Sequence, residues 1–327
     1  MKKIAIVGAT GVVGRKIIDI IKEYELDCEL TLFASRRSKG KIIKSGTYEY
    51  EVLELNDQVV FSKYDIAIFS AGKEISLIYG PLFSESGCYV IDNSSAFRNR
   101  KDIPLIVPEV NIEEINNYNS KLIANPNCST IQSVVALNNI VKNYKVDSIE
   151  YNTYQAVSGS GNAGIADYFL GLDCKNQVTY PYPIYNNLIP QIDEFTESGY
   201  TLEELKMIDE TKKILTGNEV LVTATCVRVP VVNSHSVNIT VNINEDVTLK
   251  EIKTILGFSE SVVLLENDDY PMPILSNDTD IVFVGRVREN ISRKNSFHIF
   301  TSADNIRKGA ASNSVQIAKY LIEEKYV

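Results

Sequence analysis

Cys128 lies in Asn125-Pro126-Asn127-Cys128-Ser129-Thr130, between an apolar run at 121–124 that reads as a strand and a helical pattern at 131–144. Such a junction gathers unpaired backbone N–H groups and the positive end of the helix dipole. A thiol there loses its proton more easily than an ordinary cysteine, whose pKa is about 8.5, and the thiolate is the nucleophile. The competing reading is a small buried residue that starts a helix, the commoner fate of cysteine.

Few other groups could share the chemistry. Arg228 stands in Cys226-Val227-Arg228-Val229-Pro230, an apolar strand pattern where an unpaired charge is expensive. It either pairs with a protein carboxylate or waits for a ligand carboxylate, which it can grip with two parallel hydrogen bonds. His235 begins the next strand a short turn later and can take and give a proton near neutral pH. His298, the other histidine, falls within a strand pattern and reads as structural. Gln155, in Tyr154-Gln155-Ala156-Val157-Ser158-Gly159-Ser160-Gly161, ends a strand in a glycine-rich turn. Its amide could hold a substrate without changing charge, or sit on the wet face of the strand.

A second signal stands at the N-terminus. Gly8-Ala9-Thr10-Gly11-Val12-Val13-Gly14 follows an apolar strand at 4–7 and opens a helix at 12–23. Glycines in that place allow a tight turn and let the backbone approach a pyrophosphate seated on the helix N-terminus. The context predicts dinucleotide binding by a Rossmann-type domain rather than a merely structural turn. The second strand ends in Ser35-Arg36-Arg37-Ser38. A fold preferring NAD usually carries Asp or Glu here for the ribose hydroxyls, whereas hydroxyls and two guanidiniums suit a 2′-phosphate. NADP is therefore expected; the plainer alternative is a solvated basic loop.

These residues need elements to hold them. Up to residue 125, strands at 4–7, 29–34, 48–55, 65–70, 88–91, 105–107 and 121–124 alternate with helices at 12–23 and 73–84. That alternation predicts a parallel sheet covered on both faces. Longer strands follow at 148–157, 220–229, 236–244, 281–287 and 296–302, and suit a mostly antiparallel sheet packed on helices. A Pro/Tyr-rich connector at 180–185 reads as loop, 200–216 as helix, and 305–325 as a long terminal helix. The expected fold is α/β: a dinucleotide-binding domain over 1–127, completed by the helix at 305–327, and a second, α+β domain over 128–304.

Composition narrows the class. The 327 residues suit two domains, and 44% hydrophobic with 23% charged is ordinary for a globular chain. A formal net charge of -9 argues against nucleic acid or an anionic membrane as a main partner. Cys28, Cys88, Cys128, Cys174 and Cys226 are odd in number and widely spaced, which argues against a disulfide framework or zinc ribbon. Two histidines leave no basis for a His-rich metal site, and no metal is expected. The apolar run after Met1-Lys2-Lys3 is too short for a signal peptide, and no stretch nears the roughly 20 apolar residues of a membrane span. A cytoplasmic, reduced setting is expected.

Taken together, the glycine turn, Ser94-Ser95-Ala96-Phe97-Arg98, Asn125 to Thr130, Gln155 to Gly159, Cys226 to Pro230 and His235-Ser236 closely resemble aspartate-semialdehyde dehydrogenase. The resemblance runs nearly end to end, through Val284-Gly285-Arg286, Ser302-Ala303-Asp304-Asn305 and Lys308-Gly309-Ala310-Ala311. It implies that Cys128 is the nucleophile, His235 the acid–base residue, Gln155 a substrate-positioning group and Arg228 the ligand of the substrate carboxylate. It places Arg98 and Asn127 in the phosphate pocket, and Glu203 and Lys206 at the substrate amino group and phosphate. On sequence alone that i, i+3 pair equally fits an exposed salt bridge. Gly8, Thr10, Gly11, Val12, Val13, Ser70, Ala71, Gly72, Ser158, Gly159 and Asn305 join residues 35–38 as cofactor contacts.

The implied reaction is the reversible, NADP-dependent reductive dephosphorylation of L-4-aspartyl phosphate to L-aspartate 4-semialdehyde. It runs through a Cys128 thioester and serves biosynthesis of lysine, threonine, methionine and isoleucine. Backbone N–H groups around Cys128 are natural oxyanion donors. A homodimer, or a dimer of dimers, built through the second domain is implied. Two departures stand out: Ser312 replaces a frequent Trp in a chain with no Trp, and paired Arg36 and Arg37 leave open which one meets the 2′-phosphate. Reductases of N-acetyl-glutamyl phosphate or glyceraldehyde 3-phosphate share the cysteine, histidine and cofactor, but the Asn-Pro-Asn-Cys-Ser-Thr run and the Arg228/His235 spacing match the aspartate family better. A non-catalytic NADP-sensing module would keep the glycine turn without needing Cys128, Gln155, Arg228 and His235 together.

Overall fold

Ile4, Ala5, Ile6 and Val7 are fully buried in a row, so β1 (Lys2–Val7) lies inside a sheet with both faces covered. The computed structural model describes residues 1–61, 63–172, 177–216 and 220–327, in two compact units. One unit is Met1–Pro126 with Ala310–Val327; the other is Asn127–Gly309.

In the first unit β1 pairs in parallel with β2 (Cys28–Ala34) and with β5 (Ile66–Phe69). Outside these run β3 (Ile42–Ser45), β4 (Tyr48–Glu54), β6 (Tyr89–Asp92) and β7 (Leu122–Ala124), giving the order β3-β4-β2-β1-β5-β6-β7. Among the described residues of this unit only β3–β4 is antiparallel, a hairpin whose turn includes Gly46 at φ +55°. Sequence periodicity passes over β3 because a four-residue edge strand gives too short a pattern. The strand expected at 105–107 is a single bridge from Leu105 to Ala124. Helix α1 (Val12–Glu23) and the C-terminal helix Ser312–Glu323 bury Ile17, Ile21, Val315 and Leu321 in one shared core. Helices α2 (Lys73–Glu85) and α3 (Pro108–Asn111) belong to the same unit.

The second unit starts with α4 (Cys128–Asn143), which packs on a six-stranded sheet. Its strands are β8 (Val146–Gln155), β9 (Leu221–Arg228), β10 (His235–Ile243), β11 (Val262–Leu264), β12 (Val282–Glu289) and β13 (Ser296–Ala303). In the order β11-β12-β13-β10-β8-β9, the three central pairings are antiparallel and the two outer ones parallel. Alternation along β8 turns Tyr151, Thr153 and Gln155 inward and Glu150, Asn152 and Tyr154 outward. The remaining helices are α5 (Gly161–Phe169), α6 (Leu202–Thr211), α7 (Leu249–Gly257) and α8 (Pro273–Ser276).

Two expected helices are interrupted. The 200–216 pattern is α6, started by a Thr201/Glu204 capping box, and then a π-turn at Lys212–Thr216. The 305–325 pattern becomes a π-turn at Arg307–Ala311 before the helix proper. A second capping box, Thr248 with Glu251, starts α7, which the sequence reading did not anticipate.

Candidate active site

Asn127, not residue 131, sets where α4 begins. Its side-chain oxygen accepts the N–H groups of Ser129 (2.9 Å) and Thr130 (3.3 Å), the geometry of an N-cap. Cys128 is thereby the first helical residue, and it is partly exposed. Both N–H groups take the Asn127 side chain as a partner. Gly309 packs against the cysteine: a Cβ there would sit 2.8 Å from Cys128 Cβ. Cys88 and Cys226 differ in kind. Both are buried, and burial raises their thiol pKa, to about 12 for Cys88, which makes them poor nucleophiles. Cys174 lies outside the described residues.

One buried carboxylate ties the cap to the glycine-rich turn. Glu203 Oε1 accepts Asn127 Nδ2 (2.8 Å) and Gln155 Nε2 (3.2 Å), while Oε2 pairs with Lys206 Nζ (3.2 Å). Burial alone would raise the Glu203 pKa. Lys206, the two amide hydrogen bonds and the Arg228 charge outweigh it and hold the pKa below the usual carboxylate value. Lys206 also pairs with Asp193, so the Glu203–Lys206 pair is a real ion pair with one buried end. Gln155 is 1% exposed, which rules out the wet strand face. Glu210, on the same helix as Glu203, accepts the Asn127 N–H at 2.6 Å.

Arg228 and His235 meet at the turn after β8. Arg228 Nη1 donates to Ala156 O (2.7 Å), and the Ala156 N–H donates to His235 Nδ1 (3.0 Å). One peptide residue thus orients both side chains. A Cβ on Gly159 would lie 2.9 Å from Arg228 Nη1 and 3.3 Å from His235 Nε2, so the two groups converge where that glycine leaves room. Arg228 Nε and His235 Nε2 are buried without a hydrogen-bond partner among the described residues. Burial, and then the Arg228 charge, push the His235 pKa well below its ordinary value. The imidazole is therefore neutral. Because Nδ1 is an acceptor, the proton resides on Nε2. Tyr180, from the connector, places its ring 6.0 Å from the Arg228 guanidinium. Asp167 holds that connector by accepting the N–H groups of Val178, Thr179 and Tyr180.

In the first unit, Gly8 has φ +92°, and a Cβ there would strike Ser70 O at 2.6 Å. A Cβ on Gly14 would fall 2.2 Å from Gly8 O, so the helix can approach the strand only as glycine. Gly11 caps α1 without a side chain, and no acidic residue occupies the first turn. Thr10, Val12 and Val13 complete this turn, while Ser70, Ala71 and Gly72 link β5 to α2. The geometry fits the pyrophosphate of a dinucleotide. Ser35 precedes a tight turn at Arg36–Ser38 in which both arginines are exposed. Arg98 is buried and sends Nε to Asn125 O (2.9 Å) and Nη2 to Asn93 O (2.8 Å), bracing the loop after β6. Ser158 and Asn305 belong to the second unit, where Asn305 Nδ2 donates to Ser158 Oγ (3.0 Å). Among the described residues no His/Cys/Asp/Glu cluster suits a metal, and no helix is long and apolar enough to cross a membrane.

The sequence reading missed Gly309, Glu210, Asp167 and Tyr180 as parts of this site. Gly309 lay within a quoted motif, and the Pro/Tyr run was a visible signal for Tyr180. Nothing in the pattern of α6 marks Glu210 as inward-facing.

Two family models match the chain: "Semialdehyde dehydrogenase, NAD binding domain" over residues 3–118 and "Semialdehyde dehydrogenase, dimerisation domain" over residues 137–308. The aspartate-semialdehyde dehydrogenase of Aquifex aeolicus is 43% identical over 335 residues, covering 98% of each chain. The crystal structure of aspartate semialdehyde dehydrogenase II from Vibrio cholerae complexed with ASA superposes with a TM-score of 0.94 at 40% identity, covering 99% of this chain and 98% of that one. The Candida albicans aspartate semialdehyde dehydrogenase with NADP superposes with a TM-score of 0.80 at 26% identity, covering 100% of both.

Proposed function

The chain belongs to the aspartate-semialdehyde dehydrogenase family, and from that premise we propose that it converts L-4-aspartyl phosphate reversibly to L-aspartate 4-semialdehyde through a thioester on Cys128. The observation that carries this reading is the pair of buried, unpartnered nitrogens, Arg228 Nε and His235 Nε2, converging at Gly159. An unmet buried donor costs about 1–3 kcal/mol and persists where a ligand supplies the partner. A substrate carboxylate at Arg228 and a carbonyl oxygen at His235 are such partners.

The Cys128 thiolate attacks the acyl carbon, the bond to phosphate oxygen breaks, and a thioester forms. Arg98, Lys206 and Asn127 are assigned to the phosphate, Glu203 to the substrate amino group and Gln155 to substrate orientation. A nicotinamide held by the residues assigned below would supply the hydride that reduces the thioester. His235 Nε2–H donates to the oxygen as it becomes an oxyanion, and the oxyanion then expels the Cys128 thiolate and leaves the aldehyde. NADP is assigned to Gly8, Thr10, Gly11, Val12, Val13, Ser35, Arg36, Arg37, Ser38, Ser70, Ala71, Gly72, Ser158, Gly159 and Asn305. Its preference over NAD rests on Arg36 and Arg37 and the lack of an acidic residue beside them. A homodimer built through Asn127–Gly309, cytoplasmic, and serving synthesis of lysine, threonine, methionine and isoleucine follows from the same reading.

The test is spectrophotometric. Aspartate semialdehyde should reduce NADP continuously only when phosphate is present, while N-acetyl-glutamate semialdehyde should not substitute. Equal turnover of the second aldehyde, or steady turnover without phosphate, would overturn the assignment.

A further inference from the structure

Asp304 is 2% exposed, and among the described residues the neighbouring Arg307 guanidinium pairs with Asp280 and Asp278. Four N–H donors satisfy the Asp304 carboxylate. Oδ1 accepts the backbone N–H groups of Ile306 and Arg307, both at 2.9 Å, and so starts the π-turn that follows. Oδ2 accepts Asn233 Nδ2 and the Asp278 N–H, both at 2.8 Å. The second pair of bonds is not needed to cap the turn.

Asn233 lies two residues before His235, in a turn where Ser234 adopts φ +71°, a left-handed conformation uncommon for serine. That turn is fixed from several sides. Asn233 Oδ1 accepts Ser158 Oγ (2.9 Å), Asn305 Oδ1 accepts the Ser234 N–H (2.9 Å), and Ser234 Oγ donates to Asn277 Oδ1 (2.7 Å). Residue 303, next to Asp304, pairs with His235 across β10 and β13. The Asn233 amide is thus held at one end by Asp304 and at the other by Ser158, which is bonded to Asn305.

We propose that Asp304 is a positioning residue for the reaction: through Asn233 it fixes the turn that delivers His235 and aligns it with the Ser158–Asn305 pair. This rests on the catalytic reading of His235 and on the assignment of Ser158 and Asn305 to the cofactor. Asp304 touches no reacting atom. It sets the registry between the group that donates to the carbonyl oxygen and the residues that face the hydride source.

Asp304→Asn puts an amide NH2 where an acceptor is required. Displacing a catalytic group by about 1 Å costs up to roughly a hundredfold in rate, so the expected loss in kcat is roughly tenfold to a hundredfold with KM for aspartate semialdehyde within about threefold. Asn233→Ala leaves three of the four Asp304 bonds in place and should reproduce that loss; it serves if Asp304→Asn does not fold. The decisive readout is a double-mutant cycle with His235→Asn. If Asp304 acts through His235, its substitution should change the rate of the His235→Asn enzyme by less than about twofold. An equal fold-loss in both backgrounds, or a wild-type kcat for Asn233→Ala, refutes the proposal. A His235→Asn enzyme that keeps full activity would instead sink the reading of His235 itself, and the proposal with it.

Discussion

Gly159 is the position where a single methyl group should disturb the site most. Its ideal Cβ lies 2.9 Å from Arg228 Nη1 and 3.3 Å from both Cε1 and Nε2 of His235. Neither side chain can retreat freely, because Nη1 is held by Ala156 O at 2.7 Å and Nδ1 by the Ala156 N–H at 3.0 Å. Gly159→Ala must therefore lengthen a buried hydrogen bond or shift the turn. Overpacking of this kind costs about 1–3 kcal/mol. If all of it falls on the transition state, kcat/KM for aspartate semialdehyde drops by about fivefold to 150-fold. Steady-state rates of NADPH formation separate the two routes: a displaced Arg228 raises KM, and a displaced His235 lowers kcat. Thermal unfolding of the same variant measures the part that falls on the fold, at about 2–4 °C per kcal/mol for a protein unit of this size. A variant with kcat/KM within twofold of wild type and an unchanged Tm refutes the convergence of Arg228 and His235 on this glycine.

Three further outcomes are expected. Unfolding brings residue 235 into water, where it takes up a proton near pH 6.5, while the folded chain resists that proton. Wild-type stability should therefore fall as pH drops below about 6.5, by at most about 1.4 kcal/mol per pH unit from this residue, whereas His235→Asn should lack that component in urea titrations between about pH 8 and 5. Glu203→Gln removes the charge shared by Lys206, Asn127 and Gln155; since Lys206 keeps Asp193, the stability cost should be about 1–3 kcal/mol, with a raised KM for aspartate semialdehyde and little change in that for NADP. Arg36→Ala with Arg37→Ala should raise KM for NADP by roughly tenfold or more and leave NAD unaffected, and equal efficiency of the wild type with both cofactors would end the 2′-phosphate argument.

The parallel sheet was legible because Ile4, Ala5, Ile6, Val7 and Ile66, Ala67, Ile68, Phe69 are uninterrupted apolar runs, as strands buried on both faces must be. Cys128 was legible as a helix-start thiol, but the start was set three residues too late. The cap is a side-chain bond from Asn127, which periodicity does not register. Short elements left no period to read, as with β3 and β11. The π-turns at Lys212–Thr216 and Arg307–Ala311 depart from α-helical spacing only by their hydrogen bonds, so their residues passed for continuous helix. Polar residues in the site were harder still. Glu203 and Lys206 resemble an ordinary surface pair, and Asp304 resembles a turn residue; only tertiary packing makes Glu203 and Asp304 buried hubs.

The proposed mechanism rests on a covalent acyl intermediate at Cys128. Enzyme mixed rapidly with NADP and aspartate semialdehyde, with phosphate withheld, tests it by stopped-flow absorbance and by mass measurement of the quenched protein. A burst of NADPH equal to the active sites is expected, with an acyl adduct on the peptide containing Cys128; added phosphate should discharge the adduct and restart NADPH formation. Cys128→Ala should show neither while still binding NADP. A burst that survives in that variant, or an adduct on another residue, would contradict the account.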